Sequence, residues 1–117
     1  MSTPGVGDVH KFAFVSHVAA ADGDTDVLAA AGAGKTHVLQ KLTVTIVLAA
    51  AQTFRIEDKG SAPKVFFTAP ASLAAGTYVL DFGPLGIPFS EANVALEADV
   101  AAAGVQMTVS GHGYIRT

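Results

Sequence analysis

Thr36-His37-Val38-Leu39-Gln40-Lys41-Leu42-Thr43-Val44-Thr45-Ile46-Val47-Leu48 is the stretch that decides the fold. From Leu42 onward, Leu42, Val44, Ile46 and Leu48 fall on one side, and Thr43 and Thr45 on the other. Only Val47 interrupts the polar row. A side-chain period of two belongs to a pleated strand with one buried face.

The same alternation recurs on both sides of this stretch. Upstream, Lys11 to Val18 reads as a strand with Phe12 and Phe14 on one side, and Thr25 to Ala30 as a shorter one. Asp22-Gly23-Asp24 and Gly32-Ala33-Gly34 supply turns between them. Downstream, Thr53 to Asp58 places Phe54 and Ile56 inward and Arg55 and Glu57 outward. Lys59-Gly60-Ser61 then turns the chain into a strand over Lys64 to Thr68. Gly76 to Phe82 puts Tyr78, Leu80 and Phe82 opposite Asp81, and Gly83-Pro84-Leu85-Gly86 follows as a turn. Ile87 to Phe89 is short, and Pro88 suits an edge position because it donates no ladder hydrogen bond.

Ser90 to Gly104 admits two readings. Ser90 as an N-cap, Glu91 in a first turn, the alanines and Gly104 as a stop would make a helix. Against this, Val94, Leu96, Ala98 and Val100 alternate with Ala95, Glu97 and Asp99, which favours a strand. Val105, Met107 and Val109 point in and Gln106, Thr108 and Ser110 out, and Gly111 to Ile115 continues that last strand. Eight or nine short strands with turn signals between them specify an all-β fold, an antiparallel β-sandwich or barrel of jelly-roll character.

The chain of 117 residues is one domain by size, with Met1 to Asp8 a loose Gly/Pro/Ser/Thr-rich arm and residues 9–117 the sandwich. It contains no cysteine, so disulfides and thiolate metal sites are unavailable. No apolar run is long enough to span a bilayer, and the N-terminus lacks the order of a signal peptide, so synthesis in the cytoplasm is expected. A net charge of −3 gives no support to nucleic-acid binding. Charged residues make up only 15% of the chain, against roughly 25% in an average soluble chain. So few charges cover a surface thinly. Small uncharged residues must cover the rest, and part of the surface is expected to meet another chain.

The candidate chemical motifs are weak. Gly34-Lys35-Thr36 resembles the end of a phosphate loop, but the glycine required five positions earlier is Ala29, and a strand follows instead of a helix. A glycine-rich turn into a strand is the expected structure there. Asp22, Asp24 and Asp26 have the first three ligand spacings of a calcium loop, yet its sixth and twelfth positions are Val27 and Ala33. They are expected to form a solvated acidic turn, with a weak cation site as the alternative.

His10, His17, His37 and His112 show no zinc spacing and are expected at the surface or an interface, with the glycines around His112 allowing a bend or close packing. Ser16 and His17 would face opposite sides of a strand, and Ser110 and His112 share a face without a nucleophile elbow. Glu91, Glu97 and Asp99 are the nearest approach to paired carboxylates. Glu97 and Asp99 are expected to be exposed, with no cause for a raised pKa. Tyr78 and Tyr114 are the only tyrosines and there is no Trp, so a glycan would find no stacking row. No catalytic, cofactor-binding or metal-binding residue is assigned, and an enzyme is not expected.

One resemblance bears on function. Ala31 to Leu39 looks like a glycine turn opening a long apolar strand. Thr53 to Gly60 is a Phe/Ile strand ending in a turn, and Gly76 to Gly86 a Gly-x-Tyr strand leading to a Pro/Gly loop. Val94 to Ala103 and Val105 to Tyr114 close the chain. This order resembles the small jelly-roll head decoration (cement) proteins of tailed bacteriophages, over about residues 25–117. The resemblance implies a homotrimer made in the host cytoplasm and seated on the capsid surface of the virion. Its partners would be its own copies and the major capsid protein, with no nucleic acid, membrane or cofactor. An adhesin or glycan-binding module of a phage fibre or cell surface is the alternative.

Overall fold

A computed structural model describes residues 10–19, 24–100 and 104–117. The proposed arm, Asp22 of the acidic turn, and the alanines at 20–21 and 101–103 lie outside them. The described residues form nine strands and no helix: β1 His10–Val18, β2 Thr25–Leu28, β3 Thr36–Leu48, β4 Phe54–Asp58, β5 Val65–Ala69, β6 Gly76–Asp81, β7 Ile87–Pro88, β8 Leu96–Asp99 and β9 Gln106–Arg116.

Two antiparallel sheets pack face to face. The larger has the order β1-β9-β3-β6, with β7 also on β3; the smaller has the order β2-β8-β4-β5. The pairing is nested: β4 with β5, β3 with β6, β2 with β8, β1 with β9. The chain is one long hairpin, bent at β4–β5 and rolled so that its arms alternate between sheets. That is the double Greek-key arrangement of a jelly roll.

The core is built by the residues that the alternation selects. Leu42, Val44 and Ile46 of β3, Phe54 and Ile56 of β4, Leu96 and Ala98 of β8, and Met107 and Val109 of β9 are all buried. Phe12, Phe14, Tyr78, Leu80 and Phe82 pack against them half-buried. Leu48 departs from its expected inward position. The β3–β9 register slips between Ile46 and Leu48, and the extra residue turns both Val47 and Leu48 outward.

The segment from Ser90 is extended and not helical. Residues 90–93 bend, β8 follows, and Leu96, Ala98 and Val100 point inward as the alternation requires. Ser90 does not cap a helix; its hydroxyl and its amide both donate to Asp58, at 2.6 and 2.8 Å. Asp58 is fully buried and also accepts from the amides of Gly60 (2.9 Å) and Lys64 (3.2 Å). One carboxylate thus ties the β4–β5 turn to the loop after β7.

β9 passes the centre of the large sheet with two glycines facing inward. Phe12 pairs with Gly113 and Phe14 with Gly111 across β1 and β9. A Cβ at Gly111 would stand 2.5 Å from the Lys41 carbonyl oxygen and 2.9 Å from the Phe14 ring. One at Gly113 would collide with the Val38 carbonyl oxygen and the Phe12 ring. The glycines let two phenyl rings lie flat on the β9 backbone, which is the close packing expected around His112.

Candidate functional site

The two outer faces of the sandwich are chemical opposites. On the large sheet, one cross-strand row runs Val15, Ser110, Thr43, Val79. The next runs His17, Thr108, Thr45, Thr77. Neither holds an Asp, Glu, Lys or Arg. The second row is laced by hydrogen bonds, His17 Nδ1 with Thr108 Oγ1 at 2.9 Å and Thr45 with Thr77 at 3.3 Å. Val15 and Val79 are 69% and 56% exposed, and Val47 beyond them 65%. The result is a face of methyl groups and hydroxyls, four strands or about 19 Å wide. Its methyls lose unfavourable hydration when covered, and its hydroxyls, already partnered in part, cost little to desolvate.

Charge returns in the third row, Ala13, His112, Lys41, Asp81. Here Gln40 bulges from β3, and its amide donates to the Pro84 carbonyl at 2.6 Å. Grooves of about 350 and 520 Å³ meet at Gln40 and His112, one reaching Asp81 and Pro84, the other Lys11 and Phe12. Asp81 accepts from the Gly83 amide at 2.8 Å. Ser110 and His112 do lie on this face.

The small sheet carries the acids. Its central row is Asp26, Glu97, Glu57, and beside it Asp99 pairs with Arg55. Arg55 holds the patch together, with Nε 3.0 Å from Glu57 Oε1 and a terminal nitrogen 2.7 Å from Asp99 Oδ2. Lys59 Nζ lies 3.2 Å from Asp26. Glu57 points outward as the alternation predicts, yet it is only 5% exposed, because Arg55 and the neighbouring acids cover it.

Glu97 and Asp99 are expected to be exposed with no cause for a raised pKa; the structure corrects the exposure of both, and the pKa of Glu97 alone. Each is half-buried. Burial first, then the charge of Asp24, pushes Glu97 above the usual carboxylate range. Burial likewise raises Glu57, against the pull of Arg55. A hydrogen bond with Asp99 raises Asp24. The hydrogen bond from Arg55 holds Asp99 below its ordinary value. The sequence could not show this, because the crowding is made across strands.

These directions predict a pH profile. A carboxyl whose folded pKa is raised binds its proton more readily in the folded state, so the folded state gains as pH falls through that value. Asp99 acts oppositely, and its contribution is lost only at lower pH. Melting temperature should therefore rise as pH falls from 7.5 toward the ordinary carboxylate range, about pH 4, and fall only below it as Asp99 takes up its proton. Glu97→Gln should raise Tm at pH 7.5 by roughly 1–3 °C, the small gain of a partly solvated site. It should also flatten the rise, which a calorimetric pH series would read.

The other candidates separate as follows. Gly34-Lys35-Thr36 is a turn entering β3, closed by the Lys35 amide on the Gly32 carbonyl at 3.0 Å. Asp24 and Asp26 belong to the acidic face, and no group of three or more metal-ligating side chains occurs among the described residues. Glu91 accepts from the Ser61 amide at 2.5 Å, far from Glu97 in role.

His10, His17 and His112 are exposed, whereas His37 is not: it is 4% exposed. Its ring lies 4.6 Å from that of Phe12 and 5.2 Å from that of Phe89, and Nε2 donates to the Ala29 carbonyl at 2.9 Å. The surface placement expected for it is overturned because the start of β3 is roofed by both rings. Tyr78 and Tyr114 are half-buried, with hydroxyls donated to the Ala74 and Leu85 carbonyls.

No structural cue thus singles out a reactive centre among the described residues, and the uncharged outer face of the large sheet is the feature with the clearest capacity to bind. Compared with family models, curated proteins and solved structures, the chain matches none.

Proposed function

We propose that this chain is a virion structural protein, a decoration protein that binds and stabilises a phage head as an oligomer. The observation supporting this reading is the pair of charge-free rows across the large sheet, Val15 to Val79 and His17 to Thr77. A wide, exposed, partly apolar face suits a broad protein surface better than a small molecule, since ligand sites are concave. Its contact area is modest for one copy. On a lattice, several modest contacts made by one oligomer multiply in strength. The jelly roll is shared by viral capsid and lectin domains, so the fold alone does not choose between them. The glycan-binding alternative is weakened by the two tyrosines, which are half-buried and spend their hydroxyls on the backbone.

The test is binding to intact phage particles by cosedimentation, with the solution mass measured alongside. The proposal expects a stable oligomer that sediments with particles. Thr43→Glu combined with Val79→Glu should weaken that binding at least tenfold, about 1.4 kcal/mol or more, and leave the circular dichroism unchanged. A stable monomer that stays in the supernatant would overturn it.

A further inference from the structure

We propose that the outer edge of β1 is a self-pairing site, where a second copy of this chain adds its own β1 antiparallel through a two-fold axis at Phe14. An open strand edge offers a row of unpaired amides and carbonyls, and proteins usually blunt it with short length, bulges, charge or proline. Three of the four sheet edges here are blunted. β2 has four residues, a register slip, and Asp26 engaged by Lys59. β5 has five residues and a register slip against β4. β6 has six, opens on Gly76 at φ 150° and ends on Asp81.

β1 has one of these devices, a single charge at Lys11 near its start. It runs nine residues, pairs with β9 without interruption from His10 to Val18, and has no proline and no acid. No strand among the described residues pairs with its other edge.

The strand is complementary to itself. With Phe14 on the axis, residue 13 faces residue 15 of the other copy, 12 faces 16, and 11 faces 17. At the centre, side chains of like chemistry then meet on both surfaces, Ala13 with Val15 on the outer face and Phe14 with Phe14 on the inner; farther out Phe12 meets Ser16, and Lys11 meets His17. The only formal charge is Lys11. The antiparallel arrangement sets the two Lys11 residues about 20 Å apart, beyond a Debye length at physiological salt, where a parallel one would stack them.

Area decides how strong this is. An edge of nine residues is about 30 Å long and about 10 Å thick, so each copy covers roughly 300 Å². A standard interface covers about 800 Å² per partner. The pairing is therefore reversible in dilute solution and persistent when copies are already held close together. It is a two-fold contact, additional to any three-fold oligomer, and does not depend on the role proposed above.

Disulfide trapping tests it in a chain with no native cysteine. Ala13→Cys combined with Val15→Cys sets two pairs of thiols opposite one another across the axis. Mild oxidation at high protein concentration should give a disulfide-linked dimer at least tenfold more abundant than with Thr77→Cys plus Val79→Cys on the β6 edge. Equal yields, or none, would overturn the proposal. In the unsubstituted protein, hydrogen exchange of the β1 amides should slow at least severalfold between low-micromolar and millimolar concentration. Protection that is already full in dilute solution would mean that the protein's own chain covers the edge. Protection absent at every concentration would mean that the edge stays open, and either result overturns the pairing. A protein that binds particles yet shows no β1 cross-link would refute this contact alone.

Discussion

Asp58→Ala should cost the protein about 3–5 kcal/mol, a large share of the 5–15 kcal/mol typical of a whole domain. The side chain accepts four hydrogen bonds, from the amides of Gly60, Lys64 and Ser90 and the hydroxyl of Ser90. Truncation strands all four part-buried donors at once, and a fully buried donor left unpaired costs about 1–3 kcal/mol, an upper bound for each of these. The total falls below the simple sum because the turn relaxes and water enters. Asp58→Asn keeps one acceptor but turns an amide nitrogen toward donors, so it should lose roughly half as much. Ser90→Ala removes one of the four bonds and should cost about 1 kcal/mol. Urea unfolding of the three variants checks the order; equal values for Asp58→Ala and Ser90→Ala would show that the carboxylate does not hold the two loops together.

Gly113→Ala should be at least as damaging, and the protein is expected not to fold at 37 °C. The cause is space and not backbone conformation: the added methyl would clash with the Val38 carbonyl oxygen and press on the Phe12 ring. To fit, β9 must leave β3 or β1, and it pairs with both along its length. Overpacking that the backbone must absorb exceeds the usual 1–3 kcal/mol. Gly34→Ala is the control. It lies in a turn at φ 73° with open space around its Cβ position, so it should cost only about 1 kcal/mol of backbone strain. Expression level and melting temperature of the pair separate crowding from glycine's flexibility.

The strands were legible because their signal is local. β3, β6 and β9 each carry a period of two over six residues or more, and the side of each residue follows from its neighbours alone. Leu48 was misread because a bulge shifts the period by one, and nothing near Ile46 announces it. The contrast between an uncharged outer face and an acidic one was not legible. Glu97 meets Asp26 and Glu57 only after three strands are aligned, so its burial and raised pKa are products of topology. His37 was misplaced because a histidine on an apolar strand gives no sign of the rings that will roof it. Asp58 was half visible. Asp58-Lys59-Gly60 is the pattern of an aspartate bonding the amide two residues on, but Ser90 is far along the chain and cannot be guessed.

The nested pairing also sets the order in which this protein can be made. Its innermost hairpin, β4 with β5, can close as soon as it emerges from the ribosome. Its outermost pair joins the first strand to the last, and β9 fills the gap between β1 and β3. Until the chain is synthesised through Arg116, the large sheet has no centre, and the phenyl rings of β1 have no glycine backbone to rest on. Closure of the large sheet therefore waits for β9 to emerge and then proceeds in the slow regime of long-range β topologies, milliseconds to seconds. Nascent chains crowded on one polysome would present the same unguarded first strand to one another, which makes dilution and chaperone supply the conditions that govern yield.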